Sequence, residues 1–122
     1  AIADFILSWS NMPEDGVPYW DMKAPGIPDV PRDASAAAII ASGLYELSEY
    51  ADMEKGKKYK AAADKIIDSL NRSYQSEYGA NYGFLLLHST GSAPHESEVD
   101  VPLSYADYYY LEALWRKRSL DN

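Results

Sequence analysis

Cysteine is absent from this 122-residue chain, which excludes disulfides, thiolate zinc sites and a cysteine nucleophile. Basic residues are scarce: 11 Lys and Arg face 19 Asp and Glu, leaving a formal charge of −8. Non-specific binding to nucleic acid or to an anionic membrane surface needs clustered cations, so both classes of partner are disfavoured. No apolar run is long enough to span a bilayer, and no signal peptide is visible. Only 2 Phe are present, whereas Tyr reaches 11 and Trp 3. Aromatic rings that carry a polar tip suit half-buried helix positions, and they also suit surfaces that stack on sugars.

Periodicity predicts four helices and no convincing strand alternation, an all-α chain. The first runs from Ala1 to about Ser10. It has no N-cap and reads as the end of a helix already under way, so the natural chain is expected to continue upstream. The second starts at Asp33, an N-cap placed after Pro31 and Arg32, and runs to about Tyr50. Ala37, Ile40, Ala41, Leu44 and Leu47 recur at helical spacing, and Ala36, Ile39 and Gly43 make the opposite side small or apolar as well. A helix without a polar face is expected to be central and buried. The third runs from Glu54 or Lys57 to Arg72, with one apolar stripe and a wet side, as an outer helix has. The fourth has Ser104 as N-cap and Asp107 three residues on, a capping-box arrangement, and extends to about Lys117. Tyr108, Leu111, Leu114 and Trp115 lie along one of its faces.

Two of the connections are long. Residues 11–32 carry Pro13, Pro18, Pro25, Pro28 and Pro31, and residues 74–103 form the other; residues 51–55 make a short turn. Antiparallel consecutive helices would bring both long connectors to one end of the bundle, where sites on helical scaffolds are commonly built.

Within these connectors, Trp20 and Asp21 offer an indole face beside a carboxylate, which fits either a sugar contact or a loop anchored by a tryptophan and an Asx turn. Arg32 and Asp33 at a helix N-terminus read as structural. His88, Ser89, Thr90, Gly91 and Ser92 combine hydroxyl donors with a bare backbone, able to cradle a hydroxyl, carboxylate or sulfate. GxxxxGK[ST] spacing is missing, which rejects a nucleotide-phosphate loop. No GxSxG elbow is present and Ser89 adjoins His88, which disfavours a serine hydrolase triad. Glu96, Glu98 and Asp100 alternate, with His88 and His95 near them, but match no calcium or zinc ligand pattern. Neither a metal nor a cofactor is expected. One or two of these acids are expected to tie the loop to backbone amides or to Arg32.

Three blocks together resemble the unsaturated glucuronyl hydrolases, glycoside hydrolase family 88. They are Asp15-Gly-Val-Pro-Tyr-Trp-Asp21, then Arg32-Asp-Ala-Ser-Ala-Ala-Ala-Ile-Ile-Ala-Ser-Gly-Leu44, then Leu86-Leu-His-Ser-Thr-Gly-Ser92 followed by Glu98-Val-Asp-Val-Pro-Leu-Ser-Tyr-Ala-Asp-Tyr-Tyr-Tyr-Leu-Glu-Ala-Leu114. The rhamnogalacturonyl hydrolases share that architecture, but their closing motifs fit less well.

The resemblance implies that residues 1–122 are one partial domain, roughly the last third of a six-hairpin α/α barrel, with no second domain. Family members take the unsaturated uronic acid from the non-reducing end of lyase products by hydrating its vinyl ether double bond. An aspartic acid donates the proton and then activates water, and it lies in the family's upstream part. No catalytic residue is therefore assigned here, and the fragment alone is expected to be inactive. The resemblance places Ser89 and Ser92 at the second sugar's substituents, sulfate among them. Where some relatives carry a lysine two residues after the second serine, this chain has Pro94. That departure leaves chondroitin-, hyaluronan-, heparin- and gellan-type fragments open as substrates. A non-catalytic helical carbohydrate-binding or interaction module, using Trp20, the tyrosines and the serine loop, is the alternative. A partial barrel should also leave apolar surface uncovered and self-associate.

Overall fold

The computed structural model describes residues 2–90 and 101–122. Helix α1 spans Ile2–Leu7, α2 Ala34–Tyr50, α3 Met53–Ser69 and α4 Ser104–Asp121. A single π-helical turn, Leu70–Tyr74, extends α3, and a 3-10 turn follows at Asn81–Gly83. Among the described residues pairing is confined to three isolated bridges, Tyr19 with Arg32, Gln75 with Leu86 and Ser89 with Val101.

Helix α2 is the axis of the packing. Its small residues Ala34, Ala37, Ala38 and Ala41, with Leu44 and Tyr45, are buried, and its neighbours α3 and α4 pack on two of its sides. The side chains fix the directions. Ser42 Oγ donates to Glu112 Oε1 (2.6 Å), and Arg116 donates to Ser42 O (3.0 Å) and Glu46 (2.8 Å), so α4 runs parallel to α2 in constant register. The short turn after Tyr50 sends α3 back antiparallel, and Tyr45 OH donates to Asp64 (2.7 Å) across that pair. At the α2–α3 crossing a Cβ on Gly56 would sit 2.7 Å from the Ser48 carbonyl oxygen, so only glycine permits this approach.

Several boundaries differ from expectation. Helix α3 starts earlier because Asp52 caps it, accepting from Lys55 N at 2.9 Å. Helix α4 runs past Lys117 because Asp121 bonds Lys117 (2.8 Å) and Lys60 (2.9 Å), clamping the last turn to α3. Ser104 is not the N-cap of α4. Leu103 occupies that position without a side-chain bond, and Asp107 turns outward to the preceding connector instead.

Packing chooses between two apolar faces on α4, and the expected full burial of α2 is corrected. Helix α4 buries Ala106, Tyr110 and Ala113 and leaves Tyr108 (60% exposed), Leu111 (53%) and Trp115 (68%) outside. It carries apolar residues on both faces, and the face with alanines is the one that can approach closely. Helix α2 is central as expected, yet Ile39, Gly43 and Leu47 remain exposed. No described helix is long and apolar enough to cross a membrane.

Candidate functional site

Both long connectors converge on the N-terminal end of α2. Asp33 Oδ1 accepts from Ser35 N (3.0 Å), the ordinary cap, and from Thr90 N (3.1 Å), 57 residues away. Ala34 N donates to His88 O (3.0 Å), and Thr90 Oγ1 donates to Arg32 O (3.1 Å). Free amides at the helix start are thus satisfied by the later connector. From the earlier connector, Pro18 O accepts from Asp33 N (2.9 Å) and Trp20 N donates to Pro31 O (3.0 Å).

Arg32 braces the junction. Its Nη1 donates to Asp15 Oδ1 (2.9 Å), to Val17 O (2.7 Å) and to Tyr74 OH (3.3 Å), and its guanidinium lies 4.9 Å from the centre of the Tyr19 ring. Tyr74 OH in turn donates to Asp15 Oδ2 (3.1 Å). Burial, and then the Asp15 charge, push the Tyr74 phenol up to about 12, so it stays a neutral donor. Among the described residues the carboxylate that meets Arg32 is Asp15 from the first connector, which sequence reasoning passed over. Its local signature was the acid two residues before Val17, whose amide it accepts (2.9 Å) in an Asx turn.

His88 sits in the left-handed region (φ 61°) with its side chain exposed, edge-on to Tyr74 at 5.8 Å between ring centres. Arg32, Tyr74, His88, Ser73, Val30 and Pro31 line a cavity of about 390 Å³ at this junction. Asp107 supports the approach to it, accepting from Leu85 N (2.8 Å) and Leu86 N (3.1 Å).

The other expected site residues fall as follows. Trp20 is half-buried on the same end. Asp21 is exposed and accepts from Lys23 N (2.8 Å), the Asx-turn geometry, with one carboxylate oxygen engaged. The expected presentation of Ser89 to a ligand is corrected: Ser89 is 0% exposed and its Oγ has no hydrogen-bond partner among the described residues. The reason is local. The left-handed turn at His88 and the bridge of Ser89 to Val101 (2.8 and 3.1 Å) point the hydroxyl inward. Gly91, Ser92, Pro94, His95, Glu96, Glu98 and Asp100 lie outside the described residues. Among the described residues no cluster of three or more His, Asp or Glu could hold a metal ion.

No protein-family profile matches the chain. Against curated proteins it is 46% identical over 121 residues to an unsaturated glucuronyl hydrolase from Formosa agariphila, covering 98% of this chain and 30% of that one. The fold agrees: the crystal structure of an unsaturated glucuronyl hydrolase specific for heparin superposes with a TM-score of 0.95 at 45% identity. The chain is homologous to the unsaturated glucuronyl hydrolases. That structure shares 98% of this chain and 32% of its own length. A mutant of the Streptococcus agalactiae enzyme complexed with dGlcA-GalNAc6S gives a TM-score of 0.78 at 37% identity, covering 87% of this chain and 29% of that one. The chain thus spans about three tenths of the length of the relatives it matches. These relatives are α/α barrels, and the described helices correspond to part of that ring.

Proposed function

We propose that this chain is the carboxy-terminal part of an unsaturated glucuronyl hydrolase, a single partial domain that supplies one arc of an α/α barrel and part of its saccharide-binding rim. The whole protein removes the unsaturated uronic acid from lyase-generated oligosaccharides: the vinyl ether double bond is hydrated, and the resulting hemiacetal opens and releases the sugar. The proton donor and water-activating aspartate lie in the part of the protein outside these 122 residues, and the isolated chain does not turn substrate over.

The observation that carries this reading is the match over 98% of the chain, at 46% identity, to three tenths of an enzyme of that name. It is supported by the junction itself. Two connectors separated by 42 residues or more in sequence are locked together through Arg32, Tyr74 and Asp33 at a helix N-terminus, beside an exposed His88. In this reading Trp20, Asp21 and His88 face the saccharide, Ser92 is a further contact residue by its place in the motif, and Ser89 packs behind the first three as part of the wall. The relative solved with dGlcA-GalNAc6S supports an unsaturated uronic-acid disaccharide as the ligand class.

The test is loss of the ultraviolet absorbance of unsaturated disaccharides, followed with the full-length gene product and with the 122-residue chain. Turnover by the first and not the second is expected. Turnover by the isolated chain overturns the partial-domain reading. Binding without turnover by the full-length protein overturns the enzyme reading in favour of a non-catalytic carbohydrate-binding module.

A further inference from the structure

The junction cavity of about 390 Å³ contrasts in charge with the chain as a whole. The sequence holds 19 Asp and Glu against 11 Lys and Arg, yet none of the described residues lining this cavity is acidic, and Arg32 and His88 are both among them. A cavity walled by a guanidinium and an imidazole, with no carboxylate, favours a negative guest.

Arg32 is held in a way that leaves one edge of it open. Every hydrogen bond it makes to a described residue goes through Nη1: to Asp15 Oδ1 (2.9 Å) and Oδ2 (3.1 Å), to Val17 O (2.7 Å) and to Tyr74 OH (3.3 Å). The Tyr19 ring lies against the guanidinium at 4.9 Å. Nε and Nη2, the edge able to grip a carboxylate or sulfate through two parallel N–H bonds, donate to no described residue. The group is therefore fixed before any ligand arrives, and little side-chain freedom remains to be lost on binding. A second wall comes from the π-helical turn Leu70–Tyr74, a rare conformation that is common at functional sites. It buries Tyr74 against Arg32 and leaves Ser73 exposed at the cavity.

We propose that the Nε–Nη2 edge of Arg32 binds an oxyanion in this cavity, a carboxylate or sulfate carried by the saccharide. Arg32 is then a ligand contact as well as the brace of the junction. The inference deepens the proposed function by naming the group that this part of the rim receives, and it rests on that reading for the saccharide.

The test uses the full-length protein and two unsaturated disaccharides that share the uronate carboxylate and differ only in a sulfate on the second sugar. Affinity is read as KM where the protein turns them over and by titration calorimetry where it does not. Absent turnover thus fails the hydrolase reading and leaves this measurement intact. Arg32→Gln is expected to weaken binding about tenfold or more, through loss of charge-assisted bonds. Loss with both disaccharides assigns the carboxylate; loss with the sulfated one alone assigns the sulfate. Because Arg32 also braces two connectors, a second set of variants leaves it in place. Ser73→Glu sets a carboxylate beside the open edge and is expected to weaken binding by a similar factor, whereas Ser73→Lys tightens it. Ser73→Gln, of the same size without the charge, and Ser119→Glu, the same charge on α4 away from the cavity, stay within about twofold of wild type. Affinity within about twofold of wild type in Ser73→Glu, or equal losses in Ser73→Glu and Ser73→Gln, overturns the proposal, as does a wild type that binds neither disaccharide.

Discussion

Replacing Asp107 by alanine separates two accounts of how α4 begins and how the His88 connector is held. Asp107 accepts from Leu85 N at 2.8 Å and from Leu86 N at 3.1 Å. Hydrogen bonds to a charged group contribute roughly 1.5–3 kcal/mol each. Asp107 is half-buried, so the lower end applies twice and Asp107→Ala costs about 3 kcal/mol. In a chain of 122 residues that lowers Tm by roughly 10–15 °C. Asp107→Asn keeps one acceptor and loses about half as much. Ser104 makes no capping bond, so Ser104→Ala stays within about 0.5 kcal/mol. A capping box would make Ser104→Ala cost about 1 kcal/mol and would give Asp107 no role in the connector. The assay is urea denaturation followed by circular dichroism at one fixed protein concentration, because association shifts apparent stability. Hydrogen exchange at the Leu85 and Leu86 amides should quicken in Asp107→Ala alone. A cost below about 1 kcal/mol for Asp107→Ala, or equal costs for the two alanine variants, refutes the reasoning.

Two further outcomes follow from the helix packing. Gly56→Ala gains helix propensity but places a Cβ 2.7 Å from the Ser48 oxygen, so a net loss of about 1–3 kcal/mol is expected in the same denaturation assay. Acid stability reports the clamp on α4: hydrogen bonds from Lys117 and then Lys60 hold the Asp121 carboxyl down to about 2, below its ordinary value of 3.8. Its folded-state pKa is depressed, so its stabilisation is complete above pH 3.8 and disappears as pH falls through about 2; Asp121→Asn should flatten the thermal stability profile across that window.

The helix pattern was legible because a 3.6-residue period is a local property. The Asp33 cap could be read from one residue and its neighbours. The same locality misread Ser104 and Asp107, where a good capping box is overridden by two backbone amides reaching in from 21 and 22 residues away. Tyr110 and Trp115 are both aromatic positions on α4. Only the packing of alanines against α2 decides that the first is buried and bonded to Asn71 while the second is bare.

The junction divides in the same way. His88, Ser89 and Thr90 stood out by composition, and their family blocks could be recognised as they stand. Asp15 answers Arg32 across 17 residues of the first connector and Ser89 turns inward on its bridge to Val101 in the second, whereas Thr90 sharing the Asp33 cap and Tyr74 bonding Asp15 depend on the two connectors meeting across as many as 59 residues of sequence. Sequence alone determined what is set by near neighbours: helix periods, the Asp33 cap, the acidic surface and the kinship motifs. Tertiary structure decided everything set by distant partners, because a hydrogen bond or a buried face has no local signature until the chain brings its other half within reach.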